Sequence, residues 1–220
     1  MKISRVHVTV LLLVAVMALL VAGFVHRMMQ PTIFSQHQMQ NYGVTQFDQP
    51  RVFREPALTD VNGKPLSLDR FKGKWTLVYF GFTYCPDVCP TTLGVLNKFY
   101  TELQQKGTAD NVQVLLVSVD PARDTAEKLR DYVHYFNSDF MASRGDFLDT
   151  QKFAADLNAA FTKVPAGDTY LIDHSGNIVI INPYGHYHGF IKPPFDPVRL
   201  RLAFDSLRAQ FKRDFGDVSK

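Results

Sequence analysis

Two nearly continuous apolar runs of strand length, Trp75 to Phe82 and Val112 to Val119, constrain this chain more than any other feature. A strand with no polar side has no face to give to water, so both faces must be covered. Between the runs, Leu93, Leu96, Tyr100 and Leu103 recur at helical spacing and supply one cover. Beyond the second run, Asp124 followed by Glu127 has capping-box form and opens a second helix carrying Leu129, Val133 and Phe136. A third helix is expected from Asp149 or Thr150, with Phe153, Leu157 and Phe161 on one side. Strand character returns over Thr169 to Ile181 around a Ser175-Gly176-Asn177 turn, and Asp196-Pro197 opens a last helix carrying Leu200, Phe204, Leu207 and Phe211. Upstream, Leu58 to Leu68 reads as a hairpin about Asn62-Gly63. The alternation predicts a three-layer α/β/α domain with a mixed sheet.

The N-terminus obeys different rules. Val8 to Val25 is eighteen residues without a charge, preceded by Lys2 and Arg5 and followed by His26 and Arg27, which is long enough to cross a bilayer. The apolar stretch is long for a signal peptide, and Val21-Ala22-Gly23 is a weak cleavage site, so a single transmembrane helix over residues 1–27 is expected. With Lys2 and Arg5 held inside, the remainder faces the trans side, read as the periplasm, with the anchor in the inner (cytoplasmic) membrane. Residues 28–50 are glutamine-rich with little apolar periodicity and read as a polar tether, so the folded domain is expected over residues 51–220. The 24 basic and 21 acidic residues are interspersed without a basic block, which argues against a nucleic-acid partner.

The only two cysteines, Cys85 and Cys89, stand in Cys-Pro-Asp-Val-Cys-Pro where the first strand gives way to its helix. A bond between positions this close closes almost no loop, so the entropic reason for a structural disulfide is absent. Redox chemistry or metal binding remains. A helix N-terminus favours both thiolates. Residues four apart on a helix have Cβ atoms roughly 5 to 6 Å apart, wide for a disulfide and easily bridged by two sulfur–metal bonds. Copper held in both oxidation states asks for imidazole beside the sulfurs. Of the seven histidines, His7, His26, His37 and His134 stand in the anchor flanks, the tether and a helix face. His174, at a strand end beside a turn, is open between a solvated turn residue and a ligand. His186 and His188, two apart, could share one strand face and mimic a metal pair, but read as surface strand residues. Asp87 reads as a cap for the helix, Asp120 to Asp124 as loop structure, and Phe82 and Tyr84 as core.

Phe80-Gly81-Phe82-Thr83-Tyr84-Cys85-Pro86-Asp87-Val88-Cys89-Pro90, Ser118-Val119-Asp120-Pro121-Ala122-Arg123-Asp124-Thr125, and Asp173-His174-Ser175 followed by Asn182-Pro183-Tyr184-Gly185 together resemble the Sco/SenC family. These are membrane-anchored, thioredoxin-like copper chaperones for the binuclear copper site of cytochrome c oxidase. The resemblance implies a thioredoxin-like fold and one copper, Cu(I) or Cu(II), on Cys85, Cys89 and His174. It also implies a redox-active disulfide between Cys85 and Cys89. The implied partners are the oxidase subunit carrying the binuclear site, an upstream periplasmic copper donor and a thiol reductant. Thr169 to Val179 also fits the strand–turn–strand pattern of thioredoxin-like reductases, in which His174 is a turn residue. The alternatives are therefore a thiol-disulfide reductase keeping a recipient's cysteines reduced, or a redox or copper sensor; a metallochaperone rather than an enzyme is the favoured reading.

Overall fold

The computed structural model describes residues 5–29, 31–167 and 169–216. The two apolar runs become β3 (Trp75–Gly81) and β4 (Val112–Ser118), buried along their whole length and paired in parallel from Trp75 opposite Val112 to Gly81 opposite Ser118. The intervening crossover is α3 (Val88–Gln105), whose Leu93, Leu96, Tyr100 and Leu103 face the core as the spacing requires. A second crossover, α4 (Ala126–Phe136), leads to β5 (Met141–Arg144), parallel to β4. Around this parallel centre, β8 (Ile178–Ile181) and β9 (Tyr187–Ile191) add antiparallel neighbours on the β3 side. β1 (Val44–Arg51) closes that edge, and β2 (Thr59–Asp60) closes the other beside β5.

The complete order is β1-β9-β8-β3-β4-β5-β2. Side chains alternate across β3. Trp75 packs on Phe204 and Phe211 of α6 (Pro197–Phe215), while Phe80 faces Phe153 of α5 (Phe147–Asp156). Phe99 of α3 meets Phe204 edge-on, so α3 and α6 share one layer and α5 lies in the other. The expected three-layer α/β/α arrangement with a mixed sheet is present.

Several local expectations change. Residues 28–50 are not a plain tether. Ser35 caps α2 (Gln36–Asn41) in a capping box with Gln38, Met39 and Val44 are buried, and β1 pairs with β9. Folded structure therefore begins well before Arg51. The glutamines that make this stretch look tether-like lie largely on its outer side, and one of them completes the capping box. α4 starts at Thr125, whose side chain accepts from the Lys128 N–H, which frees Asp124 for a buried role. α5 starts after Asp146, and Thr150 is buried rather than capping. Phe161, expected on that helix, belongs to β6 (Phe161–Ala166), which pairs with β7 (Thr169–His174) as a separate two-stranded ribbon. Thr169 to Ile181 is therefore divided between two sheets. The hairpin of the main sheet is β8–β9, joined across Asn182 to His186. The hairpin expected about Asn62-Gly63 is present but short: the Asp60 carboxylate accepts from the Asn62 and Lys64 N–H groups, and the Asp60 N–H donates to the Lys64 carbonyl and the Leu66 N–H to the Leu58 carbonyl on either side of the Thr59–Pro65 bridge.

The apolar N-terminal segment forms α1 (Arg5–Met29), of which Val6–Met28 is long and apolar enough to cross a membrane and is uncovered by the rest of the chain. Two histidines depart from expectation. His188 is 2% exposed, wedged against Trp75 and Phe211, and no surface residue. His186 sits in the turn before β9 and not on a shared strand face with it.

Candidate metal centre

Gly81 ends β3, and the chain crosses in six residues from there to the first turn of α3. A Cβ at Gly81 would lie 3.0 Å from the Tyr79 ring and 3.1 Å from the Cys89 sulfur, so a side chain here would press these neighbours out of place by a few tenths of an ångström. Asp124 fixes the loop from beneath. Its carboxylate accepts from the Thr83 hydroxyl at 2.6 Å, more weakly from the Thr83 N–H, and from the Ser118 hydroxyl at 2.6 Å. Burial pushes its pKa up, and these hydrogen bonds oppose that. Asp87 occupies the N-cap position of α3 without making the expected side-chain capping bond. Phe82 is core as expected; Tyr84 is 52% exposed and is not.

Cys85 is 8% exposed at the mouth of the site and Cys89 is fully buried beneath it; both are free thiols. The Cys89 N–H points to the Cys85 sulfur at 3.4 Å. The two thiols divide the titration between them. The thiol–thiol hydrogen bond from the Cys89 side chain chiefly draws the Cys85 thiol down to about 4, with His174 and backbone N–H groups assisting against desolvation. The same bond, then burial, pushes Cys89 far up. The more exposed Cys85 is thus favoured as thiolate over the buried Cys89. The Tyr79 hydroxyl lies 3.8 Å from the Cys89 sulfur, and burial raises its own pKa strongly.

His174, at the end of β7, is brought over the cysteine pair. Its Nε2 lies 3.7 Å from the Cys89 sulfur, with the ring edge-on to Tyr79 and Phe82. The two sulfurs and the imidazole nitrogen lie within 4.8 Å of one another. Three donors about 2.0 to 2.3 Å from a common ion stand roughly 4 Å apart when arranged trigonally, so this set closes on a metal with small adjustments. Two thiolates and one imidazole are soft enough for Cu(I) and include a donor suited to Cu(II). His174 Nδ1 is buried without a hydrogen-bond partner among the described residues, so none of their carboxylates or carbonyls fixes the ring. Among the described residues no other group of His, Cys, Asp or Glu side chains meets in this way. Sequence reasoning did not single out Tyr79, whose only signal was a polar tip within an apolar run.

Fold and site together define a thioredoxin-like domain in which a cysteine pair at a helix start is completed by a histidine from a separate ribbon. The SCO1/SenC family profile matches residues 45–204, and the chain belongs to that family. It is 35% identical over 133 residues to Protein SCO2, mitochondrial, of Saccharomyces cerevisiae, covering 59% of this chain but only 44% of that relative. An SCO2-like protein of Rickettsia conorii is 31% identical over 143 residues, covering 64% of this chain and 69% of the relative. Among solved structures, Bradyrhizobium japonicum ScoI with copper bound superposes with TM-score 0.61 at 32% identity, covering 70% of this chain and 96% of that one. Arabidopsis thaliana ScoI with copper bound superposes with TM-score 0.64 at 28% identity, covering 73% and 97%.

Proposed function

We propose that this protein is a membrane-anchored copper chaperone that binds one copper through Cys85, Cys89 and His174. Its role is to deliver that copper to the binuclear copper site of cytochrome c oxidase. The observation that carries the reading is the convergence of two sulfurs and one imidazole nitrogen within 4.8 Å at the edge of the domain. Copper in solved relatives of 28 to 32% identity supports it. Cargo leaves by ligand exchange, a recipient's thiolates replacing Cys85, Cys89 and His174 one at a time. Cys85 sits at the mouth and ionises first, so it is the ligand a partner reaches first. Oxidation of Cys85 and Cys89 to a disulfide removes both sulfur ligands, which makes a thiol reductant a necessary partner. α1 would hold the domain on the periplasmic side of the inner membrane, where an upstream donor supplies the metal.

Copper titration of the reduced chain tests this. We expect one equivalent bound with thiolate-to-copper charge-transfer absorption, lost in Cys85→Ser, and weakened at least tenfold in His174→Ala with the fold retained. Equal binding by wild type and both variants would remove the metal reading.

The unequal ionisation of the two thiols also favours thiol-disulfide reduction. Cys85 would attack a recipient's disulfide, and the buried Cys89 would resolve the mixed disulfide, leaving a Cys85–Cys89 bond and a reduced recipient. In that case Cys85 alkylates well below the free-thiol pH range, with a midpoint near 4, and His174→Ala, which removes only a lesser contribution to the lowered thiol pKa, retains most of the turnover of a disulfide substrate.

A further inference from the structure

His174 reaches the cysteines from β7, and β7 pairs with β6 alone, so no ladder of main-sheet hydrogen bonds holds the ribbon in place. Its root is packed: Phe161 and Ile172 are buried, and Phe161 meets Phe147 edge-on. Toward the turn the ribbon is open, with Val164 42% and Leu171 56% exposed. Tyr170, opposite Pro165, is the exception. Its hydroxyl donates to Asp120 Oδ1 at 2.6 Å, and its main-chain carbonyl accepts from Arg123 Nη1 at 3.3 Å. Its ring lies between two cations, Arg123 at 4.1 Å and Lys163 at 4.5 Å.

On the body side of this contact, Ser118, Asp120 and Asp124 are buried and hydrogen-bonded. Asp120 is fully buried and ion-paired through Oδ2 to Arg123 Nε, and its N–H donates to the Ser118 hydroxyl at 3.1 Å. Ser118 in turn donates to Asp124, which holds Thr83 in the cysteine loop. The segment from Ser118 to Asp124 thus grips the cysteine loop through Asp124 and the histidine ribbon through Asp120 and Arg123. Arg123 Nη2 has no hydrogen-bond partner; the guanidinium lies instead near the rings of Tyr84 and Phe82 at 5.1 and 5.9 Å.

We propose that Tyr170, Asp120 and Arg123 form a latch that positions His174 over the cysteine pair, so that the imidazole joins or leaves the site as the ribbon is held or released. They are positioning residues: none touches the sulfurs. The inference rests on His174 being a ligand, and its test separates the two ideas. An arginine is required, because only a planar fork satisfies Asp120 and the Tyr170 carbonyl while stacking on the ring.

The experiment uses the full chain in detergent, comparing wild type with Tyr170→Phe, Arg123→Lys, His174→Ala and the Tyr170→Phe/His174→Ala double variant. Without metal, amide hydrogen exchange is followed over 161–174 and over β3 and β4. We expect Tyr170→Phe to speed exchange in the ribbon about tenfold while β3 and β4 are unchanged, with Arg123→Lys smaller in the same direction. In copper titrations Tyr170→Phe should weaken Cu(II) about tenfold and shift the charge-transfer band, yet have no further effect once His174 is Ala. Unchanged ribbon exchange overturns the latch. So does an equal loss of affinity in the His174→Ala background, because Tyr170 would then act through general stability. A His174→Ala chain that binds copper like wild type sinks the ligand assignment instead, and the exchange comparison then decides the latch alone.

Discussion

Spacing alone marks Cys85 and Cys89 as a candidate pair, because a bond between positions so close closes almost no loop. What spacing could not give was their inequality, which depends on one sulfur lying at the surface and the other beneath it against Tyr79. His188 was misread for a related reason. Its strand position is visible in the sequence, but what covers it, Trp75 of β3 and Phe211 of α6, lies distant in sequence. Burial pushes its pKa down to about 4, while its value in the unfolded chain is about 6.5. The folded state therefore holds it neutral, and the unfolded state takes up its proton first as pH falls. Its contribution is intact above about pH 6.5 and is lost down to about pH 4, reaching roughly 2 kcal/mol at pH 5. Urea denaturation at pH 7.5 and pH 5 should show a stability drop that is about 2 kcal/mol smaller in His188→Gln. At Gly81, an added methyl must displace the Cys89 sulfur or the Tyr79 ring. Gly81→Ala should cost about 1 to 3 kcal/mol of stability and weaken copper binding at least tenfold, measured by thermal melts and titration side by side.

At the scale of elements, β3, α3, β4 and α6 follow directly from their patterns, because each buries a contiguous face near its sequence neighbours. β1 and the β6–β7 ribbon do not. The burial of β1 falls off along its length, and its partner β9 lies at the far end of the domain's sequence, so no local rule points to it. β6 carries mostly exposed side chains, and Pro165 within it is tolerated because the ribbon has free edges. The β1–β9 pairing is sharply specified nevertheless. A Cβ on Gly189 would stand 2.2 Å from the Thr45 carbonyl oxygen and 3.0 Å from Gln46 Cα, both unyielding backbone. Gly189→Ala should detach β1 from the sheet at a cost of about 2 to 4 kcal/mol, seen as lowered thermal stability together with loss of exchange protection in residues 44–51.

For the whole molecule, the strand–helix alternation supplies the layered α/β class and the family resemblance the thioredoxin-like fold, while the domain boundary comes from composition and falls too late. Residues 34–51 carry a helix cap, the buried Met39 and Val44, and the sheet's edge strand. A chain starting at Arg51 would expose the β9 edge and forgo two buried side chains worth about 1.5 to 3 kcal/mol each. Expressed side by side, 51–220 should be less stable than 31–220 by about 3 to 6 kcal/mol in urea and should associate through the bared edge, visible by size-exclusion chromatography.

For the proposed chaperone, the early start of the fold also limits where cargo can go. Phe34 is already tied down: its N–H donates to Ser206 Oγ at 2.7 Å and its ring stacks on Tyr42. It stands only six positions beyond Met28, the end of the apolar span, a reach of about 20 Å when fully extended. A flexible tether through residue 50 would have let the thiols search a wide volume. On so short a leash, with α1 inserted, the domain travels with its patch of bilayer, and encounters with a recipient become a matter of lateral diffusion. Metal would then change hands between neighbours in one membrane, at a rate set by how often they drift together.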